Sequence, residues 1–91
     1  MPDQQRTVIY RGDVQGVGFR YAACRVAEGY NVTGYVRNLS DGGVELLTEG
    51  DETEIDRFLA ELEGNFSGYI KSQTRQTKPY TGGYTAFGVR R

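Results

Sequence analysis

Between a strand-like run and a helix-like run, the chain carries Gly12-Asp13-Val14-Gln15-Gly16-Val17-Gly18-Phe19-Arg20. Glycines at such a junction let consecutive backbone N–H groups converge on one point, and the helix adds about half a positive charge there. A nest of this kind takes a phosphate or a carboxylate. Arg20 falls in the first helical turn, where its planar fork can reach the same anion. A cation there opposes the helix dipole at a cost of roughly a few tenths of a kcal/mol. A bound anion would remove that conflict. Spacing alone leaves an ordinary tight turn with a surface arginine equally open. Two other glycine motifs do not fit. A dinucleotide fingerprint built on Gly16 and Gly18 needs glycine at position 21, which is Tyr21, and the chain has no Gly-Lys pair for a P-loop.

The absences exclude much chemistry. There is no histidine and one cysteine, Cys24, among 91 residues. Ser-His-Asp and Cys-His catalysis, histidine metal sites, CxxC redox pairs and Cys-rich zinc sites are therefore out of reach. The single cysteine suits a reducing compartment. No run is long enough for a membrane span and no signal-peptide core follows Met1, so a cytoplasmic location is expected. The sequons at Asn31, Asn38 and Asn65 read as chance matches on that basis. Net charge is -1, but residues 41–63 hold nine acids and one base, Arg57, and residues 65–91 hold five bases and no acid. Two solvated faces of opposite sign explain this. A nucleic-acid surface needs a denser basic stripe and a higher pI than about 5.4.

The elements that must position the glycine loop follow from periodicity. Thr7 to Asp13 reads as a strand. Phe19, Ala22, Ala23, Val26 and Ala27 recur as one helical face, stopped by Gly29. Val32 to Asn38 and Val44 to Glu49 are strands joined by the turn Ser40-Asp41-Gly42-Gly43. Asp51 with Glu54 suggests a capping box. Ile55, Phe58, Leu59 and Leu62 then mark a second helix ending at Gly64. Tyr69 to Lys78 is a weak, polar strand, and Thr85 to Val89 a short last one. The order β-α-β-β-α-β plus a final strand predicts one α+β domain over residues 1–91. It has the ferredoxin-like split βαβ plan, an antiparallel sheet of four to five strands with two helices on one face.

With these elements placed, a family becomes visible. Gly12-x-Val14-Gln15-Gly16-Val17-Gly18-Phe19-Arg20 resembles the acylphosphatase signature. Gly34-Tyr35-Val36-Arg37-Asn38-Leu39-Ser40-Asp41-Gly42-Gly43-Val44-Glu45 resembles the family's other signature, at the expected distance. The likeness is clear from Thr7 to Glu63 and weakens afterwards. It implies hydrolysis of the carboxyl–phosphate bond of an acyl phosphate, a hydrolase acting on acid anhydrides, with neither metal nor cofactor. Arg20 would hold the phosphoryl group together with the loop amides of Gln15, Gly16, Val17, Gly18 and Phe19. Asn38 would orient the attacking water. Many relatives carry Thr where this chain has Ala23, and relatives usually alternate apolar residues where Lys71 to Lys78 is polar. The second departure bears on that strand's length and pairing. Phe87 and Val89 still look like the family's last strand.

The partner expected is a small-molecule acyl phosphate taken by a monomer, with no nucleic acid and no membrane. The alternative is a non-catalytic anion-binding or protein-interaction module on the same fold. Asn38 argues for the enzyme, because anion binding alone does not need it. Seven tyrosines invite an RNA-binding reading, but the aromatic RNP pattern is absent, and Tyr10, Tyr30 and Tyr35 fit core or rim positions. Asp41 with Glu45 reads as turn chemistry rather than an acid–base pair. Cys24 reads as an inert helical thiol.

Overall fold

The computed structural model describes residues 3–90, so Met1, Pro2 and the terminal Arg91 of the basic stretch lie outside the described residues. Seven elements follow the predicted order: β1 Asp3–Gly12, α1 Phe19–Ala27, β2 Val32–Asn38, β3 Val44–Asp51, α2 Glu52–Asn65, β4 Ile70–Pro79 and β5 Phe87–Val89. Two strands exceed their sequence limits. β1 begins at Asp3 and β3 runs to Asp51 because each supplies the other's ladder, from Asp3 opposite Asp51 to Tyr10 opposite Val44. Pairing satisfies backbone groups that polar side chains alone do not predict. The Asp51 half of the expected capping box forms, its carboxylate accepting from the Thr53 N–H at 3.0 Å. Glu54 accepts from the Asn31 N–H at 2.9 Å and ties α2 to the start of β2.

The sheet order is β4-β1-β3-β2-β5. Its first four strands are antiparallel, as expected, but β5 lies parallel to β2 with Gly34 opposite Phe87. The sheet is therefore mixed. Side chains alternate across it. Val8, Tyr10, Val36, Val44 and Leu46 face the helices and are fully buried, against Ile55, Phe58, Leu59 and Leu62 of α2 and Phe19, Ala23 and Ala27 of α1. Each large apolar side chain so buried contributes about 1.5–3 kcal/mol. Ala23, the departure from threonine, is itself fully buried in this packing.

The polar strand β4 pairs with β1 along its whole length and lies at the sheet edge, which accounts for its composition. Lys71, Lys78 and Pro79 suit an edge that must not pair with another chain. Arg75, beside Val8 in register, reaches Glu63 of α2, so the acidic and basic stretches meet there. The chain must then travel from the β4 edge to the β5 edge. Residues 80–86 make that crossing on the face away from the helices, over the buried Glu49.

Candidate active site

The glycine loop hangs between two buried anchors. Val14 is 1% exposed, and Phe19 packs its ring 5.1 Å from Tyr10 and 4.8 Å from Phe66. At its start Gly12 adopts φ 126°, where the β1–β4 register shifts, and the next N–H, of Asp13, donates to the Tyr69 carbonyl at 2.9 Å. A Cβ on Gly12 would come within 2.4 Å of that carbonyl oxygen, so the position admits only glycine. At its end Gly18 caps α1 in the left-handed region, φ 81° and ψ 17°, with no side-chain cap. Gly16 has a similar φ of 79°.

This backbone leaves donors unspent. The first helical bond runs from the Ala22 N–H to the Gly18 carbonyl at 2.9 Å. Among the described residues, no acceptor takes the backbone N–H groups of Gln15 through Tyr21. A row of unpaired amides at a helix N-terminus is an arrangement that can receive an anion. The expected contributors Gln15, Gly16, Val17, Gly18 and Phe19 all lie on this row, and the side chains of Val17 and Phe19 take no polar part. Val17 is partly exposed and Phe19 lies in the core.

Arg20 and Asn38 come together. Both line one cleft of about 460 Å³ with Gly16 and Gly18. Arg20 stands on the first turn of α1 and makes no ion pair among the described residues, unlike Arg6, Arg11, Arg37 and Arg75, which pair with Asp56, Asp41, Glu45 and Glu63. Asn38 is the last residue of β2. Alternation puts it on the helix-facing side with Val36, and its backbone pairs with Val44. Its exposed carboxamide has no hydrogen-bond partner among the described residues, so it can both donate and accept.

Sequence reasoning assigned Gln15 only through its backbone, and the structure gives its side chain a second function. The amide nitrogen donates at 2.8 Å to the carbonyls of both Leu39 and Gly43. These residues close the β2–β3 hairpin immediately after Asn38, where the Leu39 N–H also donates to Gly43 at 2.8 Å. Arg11 pairs with Asp41 at 3.0 Å, and Asp41 accepts from the Gly43 N–H at 3.0 Å. The hairpin tip is thus tied to β1 and to the glycine loop. Nothing in the spacing announced this, because 24 residues separate Gln15 from Leu39. Asp41 and Glu45 form no acid–base pair: Asp41 belongs to the turn, and Glu45 accepts from Arg37 at 2.6 Å and Tyr35 at 3.0 Å. Cys24 lines the cleft one turn beyond Arg20, and burial, helped by Glu28, pushes its thiol up from the ordinary value. Tyr21 and Val89 also line the cleft. Among the described residues, no three His, Cys, Asp or Glu side chains gather as a metal site.

Fold and site together define an α+β protein in which a glycine loop at a helix N-terminus shares one cleft with Arg20 and Asn38. The chain belongs to the acylphosphatase family, whose pattern residues 6–89 match. It is 37% identical over 86 residues to the acylphosphatase of Methanospirillum hungatei, covering 93% of this chain and 94% of that one. The acylphosphatase of Thermotoga maritima is 39% identical over 79 residues, 87% and 88% of the two chains. The crystal structure of acylphosphatase from Bacillus subtilis superposes with a TM-score of 0.88 at 31% identity, covering 97% of this chain and 99% of that one. Acylphosphatase is the function these comparisons support, and they do not favour a non-catalytic module on the same fold.

Proposed function

We propose that this chain hydrolyses acyl phosphates to a carboxylate and inorganic phosphate by direct attack of water, without metal or cofactor. The observation that carries the proposal is the one cleft lined by Gly16, Gly18, Arg20 and Asn38, where the loop amides, the Arg20 guanidinium and the Asn38 carboxamide have no protein partner among the described residues. The amides of Gln15 to Phe19 and the Arg20 fork hold the phosphoryl oxygens and neutralise the charge they carry in a loose transition state. Asn38 accepts from the water and donates to it, fixing its line of attack. The leaving carboxylate is a weak base and needs no general acid. With no histidine in the chain, a phosphoryl oxygen of the substrate takes the proton from water. The metal-free route rests on the donor inventory, which lacks histidine and has one cysteine.

Hydrolysis of an acid anhydride by a cytoplasmic monomer, with a small-molecule partner and no nucleic acid or membrane, completes the reading. Among the described residues no helix is long and apolar enough to cross a membrane. Benzoyl phosphate turnover with and without EDTA tests the core of the proposal. Equal rates are expected. Loss with EDTA and recovery with Mg²⁺ or Zn²⁺ would replace the metal-free route, and a folded protein without turnover would return the anion-binding module.

A further inference from the structure

The sheet face away from the helices carries a second cleft of about 450 Å³, between the strands and the 80–86 crossing. It shares only Val89 with the cleft that holds Arg20 and Asn38. Strand register places its groups. Gln5 belongs to β1 and Gly88 to β5, and the order β1-β3-β2-β5 puts three strand intervals between them, about 14 Å.

At the β1 end lies an open acceptor. Gln5 is 8% exposed, and its amide nitrogen donates to the Glu49 carboxylate at 2.9 Å. A carboxylate only accepts, so the amide orientation is fixed and Oε1 is the atom left over. No group among the described residues donates to it. A nearly buried side-chain acceptor without a donor is uncommon in a folded chain. Toward β5 the cleft is aromatic and cationic. The Tyr84 ring lies 5.9 Å from that of Tyr35, and the Arg90 guanidinium is 4.7 Å from the Tyr35 centroid. Arg90 makes no ion pair among the described residues and is the only charged residue lining this cleft. Gly88 pairs with Tyr35 in the parallel ladder and shares its face. Its φ is negative and a Cβ there would meet nothing within 4 Å, so the backbone does not require glycine. The missing side chain leaves the space open.

We propose that this cleft is a second binding site, for a purine nucleoside monophosphate whose base carries an amino group. The open Gln5 Oε1 takes the amino donor, and the tyrosine rings give a flat base a surface to stack on. The unpaired Arg90 fork takes the phosphate. The three strand intervals between the ends exceed a single ring and suit a base joined through a sugar to one phosphate. Such a site is independent of acyl-phosphate turnover at the glycine loop.

Calorimetric titration of the full chain with adenosine monophosphate is the test. Adenosine, ribose 5-phosphate and purine riboside 5′-monophosphate, which lacks the amino group, serve as comparators. Adenosine monophosphate should bind one-to-one, with the same Kd within about twofold in wild type and in Arg20→Ala, which disables the glycine-loop end. Each comparator should bind about tenfold more weakly, the scale of one lost polar contact. Gly88→Val, which fills the space with a residue suited to a strand, should weaken binding at least about tenfold, and Arg90→Ala roughly five- to tenfold. Thermal melting checks that Gly88→Val is folded, and Tyr84→Ala carries the same expectation if it is not. Absence of binding at about 5 mM would overturn the site. So would loss of binding in Arg20→Ala with retention in Gly88→Val, which would assign the nucleotide to the glycine loop. Equal affinity for the nucleotide without the amino group would overturn the Gln5 contact and with it the ligand class.

Discussion

Two polar regions lie on opposite faces of the sheet and treat their hydrogen-bonding groups in opposite ways. Under the 80–86 crossing, Glu49 is 1% exposed and accepts from Gln5, from the Thr81 N–H and hydroxyl, and from the Gly82 N–H, at 2.8–3.1 Å. At the glycine loop, the amides of Gln15 to Tyr21, the Arg20 fork and the Asn38 carboxamide have no such partners among the described residues. A buried charge survives folding only when its lone pairs are filled, so Glu49 is committed to architecture. The loop groups stay near solvent, where leaving them open costs little, and they keep their capacity for a ligand. Satisfied polar groups hold this fold, and the unsatisfied ones are those to which the proposed function assigns the ligand.

The contrast breaks most visibly at Arg20. Arg20→Ala should lower kcat/KM by at least about 10²–10³-fold and weaken phosphate inhibition. Arg20→Lys should not rescue it, since it loses the fork. Stability should fall by no more than about 1–2 kcal/mol. Asn38→Ala should lower kcat by about a hundredfold with KM and phosphate inhibition near wild type, the outcome expected of a residue that acts on water rather than on substrate. Near-normal kcat in a folded Asn38→Ala protein would remove the water-orienting role. At Gln15 the two kinds of group meet, because a committed side chain carries an open backbone. Gln15→Leu should slow kcat roughly tenfold by loosening the hairpin that presents Asn38. Crystallography of that variant should show the hairpin tip displaced, and an unmoved tip with wild-type kcat would contradict the brace.

Glu49→Ala should reverse the pattern. Leaving its donors unpaired costs about 1–3 kcal/mol in urea denaturation, while kcat/KM changes less than about twofold. The smallest effect is that of pH. Burial works against ionisation of Glu49, but the donors from Thr81, Gln5 and Gly82 outweigh it and hold the carboxyl below its usual range. Its stabilisation is therefore complete above the ordinary carboxylate range, about pH 4–5, and is lost as pH falls through the lowered value. Urea midpoints should drop below about pH 4 in wild type, and less steeply in Glu49→Gln. Turnover should stay nearly flat from about pH 6 to 8, since no histidine is present and burial pushes the Cys24 thiol further above that window. A bell-shaped profile that Cys24→Ser abolished would reinstate the thiol.

Local sequence determined a good deal of this. Apolar spacing in Phe19–Ala27 and Ile55–Leu62 set both helices and their buried faces, because helical periodicity is a property of neighbours. The glycines at 12, 16 and 18 set a loop with positive φ, and the two signatures named Arg20 and Asn38. Other features needed the folded chain. The polar run Lys71–Lys78 carries no alternation to read, and only its place at the sheet edge explains why a polar strand persists there. The parallel pairing of β5 depends on where the 80–86 crossing lands. The Gln15 brace and the Glu49 cluster join residues distant in sequence, and their partners are set by strand register and topology. Local propensity acts over a few residues. These contacts exist only after long-range pairing has brought their backbones within hydrogen-bond or van der Waals reach, so tertiary structure alone decided them.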